Sequence, residues 1–427
     1  MAAESQSTLL AAPGASRRTD ASTTFIPSMG EPVHRWFRYS AGFSATWAMS
    51  LIAQAAAERG APPRVLDPFC GSGTALLAAQ AAGAPSLGVE HQPFVARIAA
   101  AKLRWSSSPD DFEERAREVL AAAAARPVRD PAPLLDKCYS RAALARLNGV
   151  AAAVAASADG SPADELAWLA LAAAVRPSSH AGTAQWQYVL PGRQKARVAD
   201  PVDAFAGQCA LMAADMRELA RPGVPPEASV LHEDARTCAG VPDGWADLVV
   251  TSPPYANNYD YADATRLEMT ALGEVRGWGD LKPIRDRLIR SCSQQMSGYD
   301  IAAALAAPAL DPIRADLEPV VARLTEVKAA RSGHKAYDAM VVAYFTDLAD
   351  VWSALRRCCA PGARVCFVVG DSAPYGVHVP VEEWLGRLAV AAGFRSWSFE
   401  KARDRNVKWR NRKHRVPLHE GRLWVEG

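Results

Sequence analysis

The chain has 427 residues, and its 48 Lys and Arg nearly cancel its 46 Asp and Glu, leaving a formal net charge of +2. That length holds one large domain with insertions or two domains, and so small a net charge confines any nucleic-acid surface to a local patch. No apolar run reaches the length of a membrane span. The first 21 residues lack the apolar stretch of a signal peptide, and the eight cysteines form no CxxC pair, so the thiols read as reduced and structural in a cytoplasmic protein with no metal site.

In chain order, residues 1–28 are small and polar and read as a disordered tail. The first strand is Arg64-Val65-Leu66-Asp67, which leads into Pro68-Phe69-Cys70-Gly71-Ser72-Gly73-Thr74 and a helical pattern over residues 75–83. A strand, a glycine loop and a helix N-terminus in that order let a ligand approach backbone N–H groups closely. A second strand, residues 86–90, ends in Glu90, at about the spacing where a carboxylate grips ribose hydroxyls. Residues 106–227 are rich in Ala and Leu at helical spacing, with breaks near Asp159-Gly160 and Pro222-Gly223. They read as a mostly helical insertion that either recognises a target or caps the pocket. A third strand-like stretch, Ser229-Val230-Leu231, runs into His232-Glu233-Asp234-Ala235.

The apolar run Leu248-Val249-Val250 reads as a buried parallel strand, and Thr251-Ser252-Pro253-Pro254-Tyr255 comes directly after it. In open α/β sheets ligands bind beyond the carboxyl ends of such strands. Consecutive prolines remove N–H donors, so the backbone there can only accept hydrogen bonds. A tyrosine ring beside acceptor-only backbone suits a flat, amine-bearing substrate such as a nucleobase. A second insertion spans residues 262–335, with a charged stretch at 282–290 and an alanine-proline linker near Ala307-Pro308. The α/β pattern then resumes: a helix over 337–357, a Pro361-Gly362 turn, a strand over 364–369 ended by Gly370-Asp371-Ser372, and a helix over 381–392 closed by Gly393. Residues 401–415 read KARDRNVKWRNRKHR, with Asp404 alone among the cations and Trp409 inside. An aromatic among arginines suits phosphate contact with stacking, and Arg405, Lys408, Trp409, Arg410, Arg412 and Lys413 are the candidates. A lesser candidate is Arg193-Gln194-Lys195-Ala196-Arg197, read as a loop and preceded by Trp186 and Tyr188.

DPFCGSGT followed by TSPPY resembles the S-adenosylmethionine-dependent amino-methyltransferases that act on exocyclic amines of DNA bases. The stretches His34-Arg35-Trp36-Phe37 with Gly42-Phe43-Ser44, and Arg405-Asn406-Val407-Lys408-Trp409 with Pro417-Leu418-His419-Glu420, extend the resemblance towards both ends. It implies an α/β, Rossmann-like class I fold: a mostly parallel sheet, helices on both faces and helical insertions. It implies S-adenosylmethionine as cofactor, with Asp67, Pro68, Phe69, Cys70, Gly71, Ser72, Gly73 and Thr74 cradling its methionine end. Glu90 would hold its ribose and Asp234 its adenine. Ser252, Pro253, Pro254 and Tyr255 would be catalytic, acting on a base flipped from DNA. The cofactor half then falls at 29–105, the catalytic half at 228–261, and the rest of the catalytic domain at 336–427. A restriction or defence nuclease is an expected partner.

Serine at position 252 leans towards cytosine-N4 over adenine-N6. Attack at cytosine carbon is not expected, because it needs a cysteine nucleophile, usually seen after a proline, and no Pro-Cys pair occurs. The glycine loop is of a kind common where the catalytic half comes first, yet here it precedes TSPPY. RNA guanine-N2 methyltransferases share that order but carry Asp or Asn in place of Ser252 and an appended RNA-binding domain that is not found. A DNA-recognition subunit without activity, or an enzyme acting on a small-molecule amine, remain the alternatives of other classes.

Overall fold

The computed structural model describes residues 24–25, 27–39, 42–184, 187–220, 223–331, 335–405 and 416–427. Helix α1 (Ala45–Arg59) feeds strand β1 (Val65–Asp67), and α2 (Thr74–Ala81) returns the chain to β2 (Ser86–Val89). After α3 (Pro93–Lys102) come α4 (Pro109–Ala122), α5 (Pro133–Cys138), α6 (Arg141–Ala156) and α7 (Pro162–Ser178). A hairpin of β3 (Ala181–Thr183) and β4 (Val189–Gln194) and then α8 (Pro201–Leu219) complete this excursion. Strands β5 (Ala228–Leu231) and β6 (Ala246–Thr251) come next, then α9 (Arg266–Ala271), α10 (Trp278–Arg287), α11 (Ile301–Leu305) and α12 (Arg314–Ala329). The chain ends with α13 (Tyr337–Cys358), β7 (Cys359–Gly370), α14 (Val381–Ala391), β8 (Ser396–Arg405) and β9 (Leu418–Glu426).

The main sheet has seven strands in the order β5-β2-β1-β6-β7-β9-β8. The first five run parallel, and β9 lies antiparallel between β7 and β8. This is the Rossmann-like, mostly parallel architecture expected from the sequence. Strand order reverses between β1 and β6, so the ligand crevice belongs at their carboxyl ends, where the glycine loop and the proline loop leave the sheet.

Alternation along the strands supplies both faces of the sheet with apolar cover. Val65, Leu248, Val250, Cys366 and Val368 pack against α1 and α2 on one face. Leu66, Val249, Val365, Phe367 and Val369 pack against α12, α13 and α14 on the other. A separate core joins α3 to the excursion helices and takes in Phe94, Phe112, Leu166, Leu169, Phe205 and Met212. Residues 262–335 divide between these cores: Leu267, Met269 and Leu281 belong to the excursion core, whereas Leu310, Leu317 and Leu324 pack towards α13.

Local details differ from expectation for clear reasons. The Pro361-Gly362 turn is absorbed into β7 as a bulge, where the β6 partner jumps from Cys359 opposite Ala246 to Arg364 opposite Leu248. Arg193 and Gln194 lie on β4, not on a loop. No described helix is long and apolar enough to cross a membrane.

Candidate active site

The cleft at the β1/β6 switch point is lined by the glycine loop, Glu90, Asp234, Ser252 and Pro254, where a doubly wound sheet places its ligand. Asp67 ends β1 and is 2% exposed. Its Oδ1 accepts the backbone N–H of Phe69 at 3.0 Å and the Thr251 hydroxyl at 2.5 Å. The carboxyl that opens the glycine loop is therefore tied to the residue just before Ser252, across neighbouring strands. Burial pushes the Asp67 carboxyl up to about 7, with Glu90 adding to the effect.

Gly71 and Gly73 take left-handed backbone, φ +50° and +88°, a region open to glycine without steric cost. A Cβ on Gly71 would also come within 3.2 Å of the Tyr39 ring. Cys70 is buried, and its side chain fills the space beside Gly88 on β2, where a Cβ would meet the thiol at 2.8 Å. The structure thus gives Cys70 a packing place. Glu90, just past β2, accepts the N–H of Gly71 at 3.0 Å and of Gln92 at 2.8 Å; burial raises its carboxyl to about 7. Asp234 lines the far wall and is gripped by Arg236, whose Nη2 lies 2.6 Å from Oδ2. Burial works against ionisation there, but Arg236 outweighs it and holds the carboxyl below its usual range.

The proline loop leaves β6 at the same end. Ser252 donates its hydroxyl proton to the Val368 carbonyl at 3.1 Å and its oxygen also meets the Tyr255 hydroxyl, which leaves one lone pair as an acceptor. Pro254 faces the cleft and Pro253 is buried. Tyr255 is not among the lining residues. Its N–H meets the Tyr261 hydroxyl at 3.3 Å, and its ring lies under the guanidinium of Arg405 at 5.2 Å. Burial and the neighbouring Glu420 carboxylate push its hydroxyl well above the usual range.

Several lining residues were missed in the sequence: Tyr39, Gln92, Tyr261 and residues 287–289. Tyr261 could have been found as the last tyrosine in the run Tyr255-Ala256-Asn257-Asn258-Tyr259-Asp260-Tyr261. Tyr39 belongs to a lead-in segment locked from outside. Asp215 of α8, fully buried, accepts Val33 N–H at 3.2 Å, Trp36 Nε1 at 2.8 Å and the Arg35 guanidinium. Lys102 of α3, also fully buried, donates to the carbonyls of His34 at 3.1 Å and Phe37 at 3.4 Å, and burial lowers its ammonium to about 7.

Of the basic candidates, Arg405 is described, whereas Lys408, Trp409, Arg410, Arg412 and Lys413 lie outside the described residues. The described flanks of that segment, Arg405 and Leu418, pair at the end of the β8–β9 hairpin nearest the proline loop. In the lesser candidate, Lys195 is committed inward, to the carbonyls of Arg176 at 2.6 Å and Ser179 at 3.2 Å; Arg193 and Arg197 are exposed, and Trp186 lies outside the described residues.

A doubly wound sheet with a glycine loop and a Ser-Pro-Pro-Tyr loop at its switch point has the Rossmann-like methyltransferase fold. The chain is similar to the Type II methyltransferase M.BsoBI of Geobacillus stearothermophilus, at 25% identity over an alignment of 424 residues that covers 87% of this chain and 80% of the relative. No family model matches the sequence.

Proposed function

We propose that this chain is an S-adenosylmethionine-dependent DNA methyltransferase that modifies an exocyclic amine, cytosine-N4 in preference to adenine-N6. The observation that carries the reading is the 2.5 Å hydrogen bond from Thr251 to Asp67, which joins the glycine loop and the proline loop at one cleft. The similarity to a Type II methyltransferase over most of both chains supports it. In this reading DNA is the macromolecular partner, and a nuclease cutting the same unmodified site is expected alongside.

The residues fit the cofactor. Bare backbone at Gly71 and Gly73 leaves room for close approach, Glu90 stands at the end of β2 for a ribose, and Asp234 at the end of the β5 loop for a base. Asp67 and Glu90 are buried carboxyls with little solvent to stabilise their charge, which suits a cationic ligand. When bound, S-adenosylmethionine supplies an electrophilic methyl carbon on its sulfonium, so no metal is called for.

The weak partner is the amine, whose lone pair is delocalised into the base ring. With its hydroxyl donating a hydrogen bond to the Val368 carbonyl, Ser252 accepts one amine N–H, and a proline carbonyl accepts the other. Those acceptors draw the nitrogen towards a tetrahedral shape and stabilise the positive charge that develops on it; as the N–C bond forms, the C–S bond would break with its electron pair left on sulfur, and the methylated amine would release one proton to solvent. Tyr255 stacks on the flipped base and fixes its plane for in-line attack.

The test is single-molecule sequencing of genomic DNA from a methylation-free bacterial host expressing the chain, with Ser252→Ala as control. A modified motif present only with the intact chain supports the reading, and the base affected separates cytosine-N4 from adenine-N6. A blank genome, with the protein folded and binding S-adenosylmethionine, refutes it.

A further inference from the structure

We propose that Arg405 is a positioning residue for Tyr255, holding one face of its ring so that only the opposite face is offered to the target base. The inference rests on the reading of this site as a base methyltransferase, and it reassigns a residue that the sequence groups with the phosphate-contacting cations.

Three observations converge on Arg405. Its guanidinium carbon lies 5.2 Å from the centre of the Tyr255 ring, within the distance at which a cation is attracted to an aromatic face. The guanidinium is fixed from behind: Nη1 donates to the Asp371 carbonyl at 2.9 Å, and Nε lies 3.7 Å from Glu420, a carboxylate 5% exposed that also takes Arg403 at 2.7 Å. Gly370, the last residue of β7, makes room for it, since a Cβ there would come within 2.8 Å of Nη1 and 3.3 Å of Cδ. The Arg405 side chain is 18% exposed. A side chain so enclosed, with Nη1 bonded to a carbonyl and Nε facing a buried carboxylate, is poorly placed to meet a phosphate.

The arrangement answers a need of the proline loop. Pro253 and Pro254 have no N–H, so the loop has few backbone bonds with which to fix the tyrosine beyond them. Tyr255 is instead held at its N–H by Tyr261, at its hydroxyl by Ser252 and at its ring by Arg405, which comes from the end of the edge strand β8. Glu420 matters electrostatically as well. A bare cation behind the ring would oppose the positive charge that grows on the amine, and the paired carboxylate offsets it. Arg405 therefore acts through the ring and touches neither base nor cofactor.

The experiment compares the intact chain with Arg405→Ala and Arg405→Lys, using tritiated S-adenosylmethionine and unmethylated genomic DNA. Transfer rate at saturation, DNA affinity and the salt dependence of that affinity are measured for each. A positioning role lowers the saturated rate of Arg405→Ala by about tenfold or more, leaves the salt slope unchanged, and is partly rescued by lysine. A phosphate contact would leave the saturated rate intact and flatten the salt slope by about one; that result overturns the proposal. A second readout needs no transfer: the fluorine resonance of 3-fluorotyrosine at position 255 shifts and broadens in Arg405→Ala, while S-adenosylmethionine affinity holds. An unmoved resonance overturns the proposal whether or not DNA is the substrate. An intact chain that transfers nothing to DNA, with a resonance that does move, refutes the DNA reading and leaves the ring contact standing.

Discussion

An Asp67→Asn substitution stabilises the ligand-free protein above pH 7 and leaves it unchanged near pH 4. Asp67 is 2% exposed, and both of its hydrogen bonds, from Phe69 N–H and the Thr251 hydroxyl, fall on Oδ1, an acceptor that asparagine retains. Burial raises its carboxyl from 3.8 in an unfolded chain to about 7 in the folded one. Between those values the folded state binds the proton that the unfolded state has released, so unfolding becomes easier as pH rises. At about 1.4 kcal/mol for each pH unit, the cost reaches about 4 kcal/mol once Asp67 is fully ionised. Two other buried groups slope the opposite way. His34, lowered to about 3, raises stability between about pH 3 and 6.5, and Lys102, lowered to about 7, raises it between about pH 7 and 10.5. Both are common to the two proteins and cancel in the difference. Urea unfolding followed by circular dichroism at pH 4, 6 and 8 gives that difference directly. The expected curves coincide at pH 4 and separate by about 2–4 kcal/mol at pH 8, with the variant the more stable. S-adenosylmethionine narrows the gap, because a cationic ligand favours the ionised acid of the native protein. Parallel curves, or a variant less stable at pH 8, refute the reasoning that Asp67 is a strained carboxylate kept for a ligand.

Asp215→Ala removes the acceptor for Val33, Arg35 and Trp36 and is expected to cost about 2–3 kcal/mol in urea unfolding, together with a weaker hold on S-adenosylmethionine by calorimetry. Tyr261→Phe keeps the ring but takes the partner from Tyr255 N–H; the expected outcome is cofactor affinity within about twofold of the intact chain and a transfer rate lowered by about tenfold. Arg410→Glu with Lys413→Glu is expected to weaken DNA binding and to reduce the slope of log affinity against log salt by about two, read from fluorescence anisotropy over a salt series.

The glycine loop and the proline loop were legible because each packs its chemistry into a contiguous run, and strands ending at those runs have one place to go in a doubly wound sheet. The alternation of Leu248, Val249 and Val250 between two cores comes from the same local pattern. Tyr39 falls between the two lead-in stretches and in neither, and Gln92 and residues 287–289 lie in segments with no motif of their own; all of them reach the cleft only through tertiary packing. Arg405 shows a different limit. A run of cations says that charge is present, but not which member turns inward, and that depends on the space left by Gly370 and the pairing of Glu420 across β8 and β9. Asp215 was hidden within a long helical stretch, where one acid among alanines and methionines gives no hint of the three residues it gathers.

The Asp215 clamp has a consequence for how such enzymes are recombined. The excursion between β2 and β5 looks like a cassette that could be exchanged to change target choice, yet its last helix holds the segment that carries Tyr39 over the glycine loop. A chimera cut at the sheet borders would import a foreign helix in place of α8 and unfasten the roof of its own cleft. Grafts that end before residue 201 and keep α8 with the parent sheet avoid that loss.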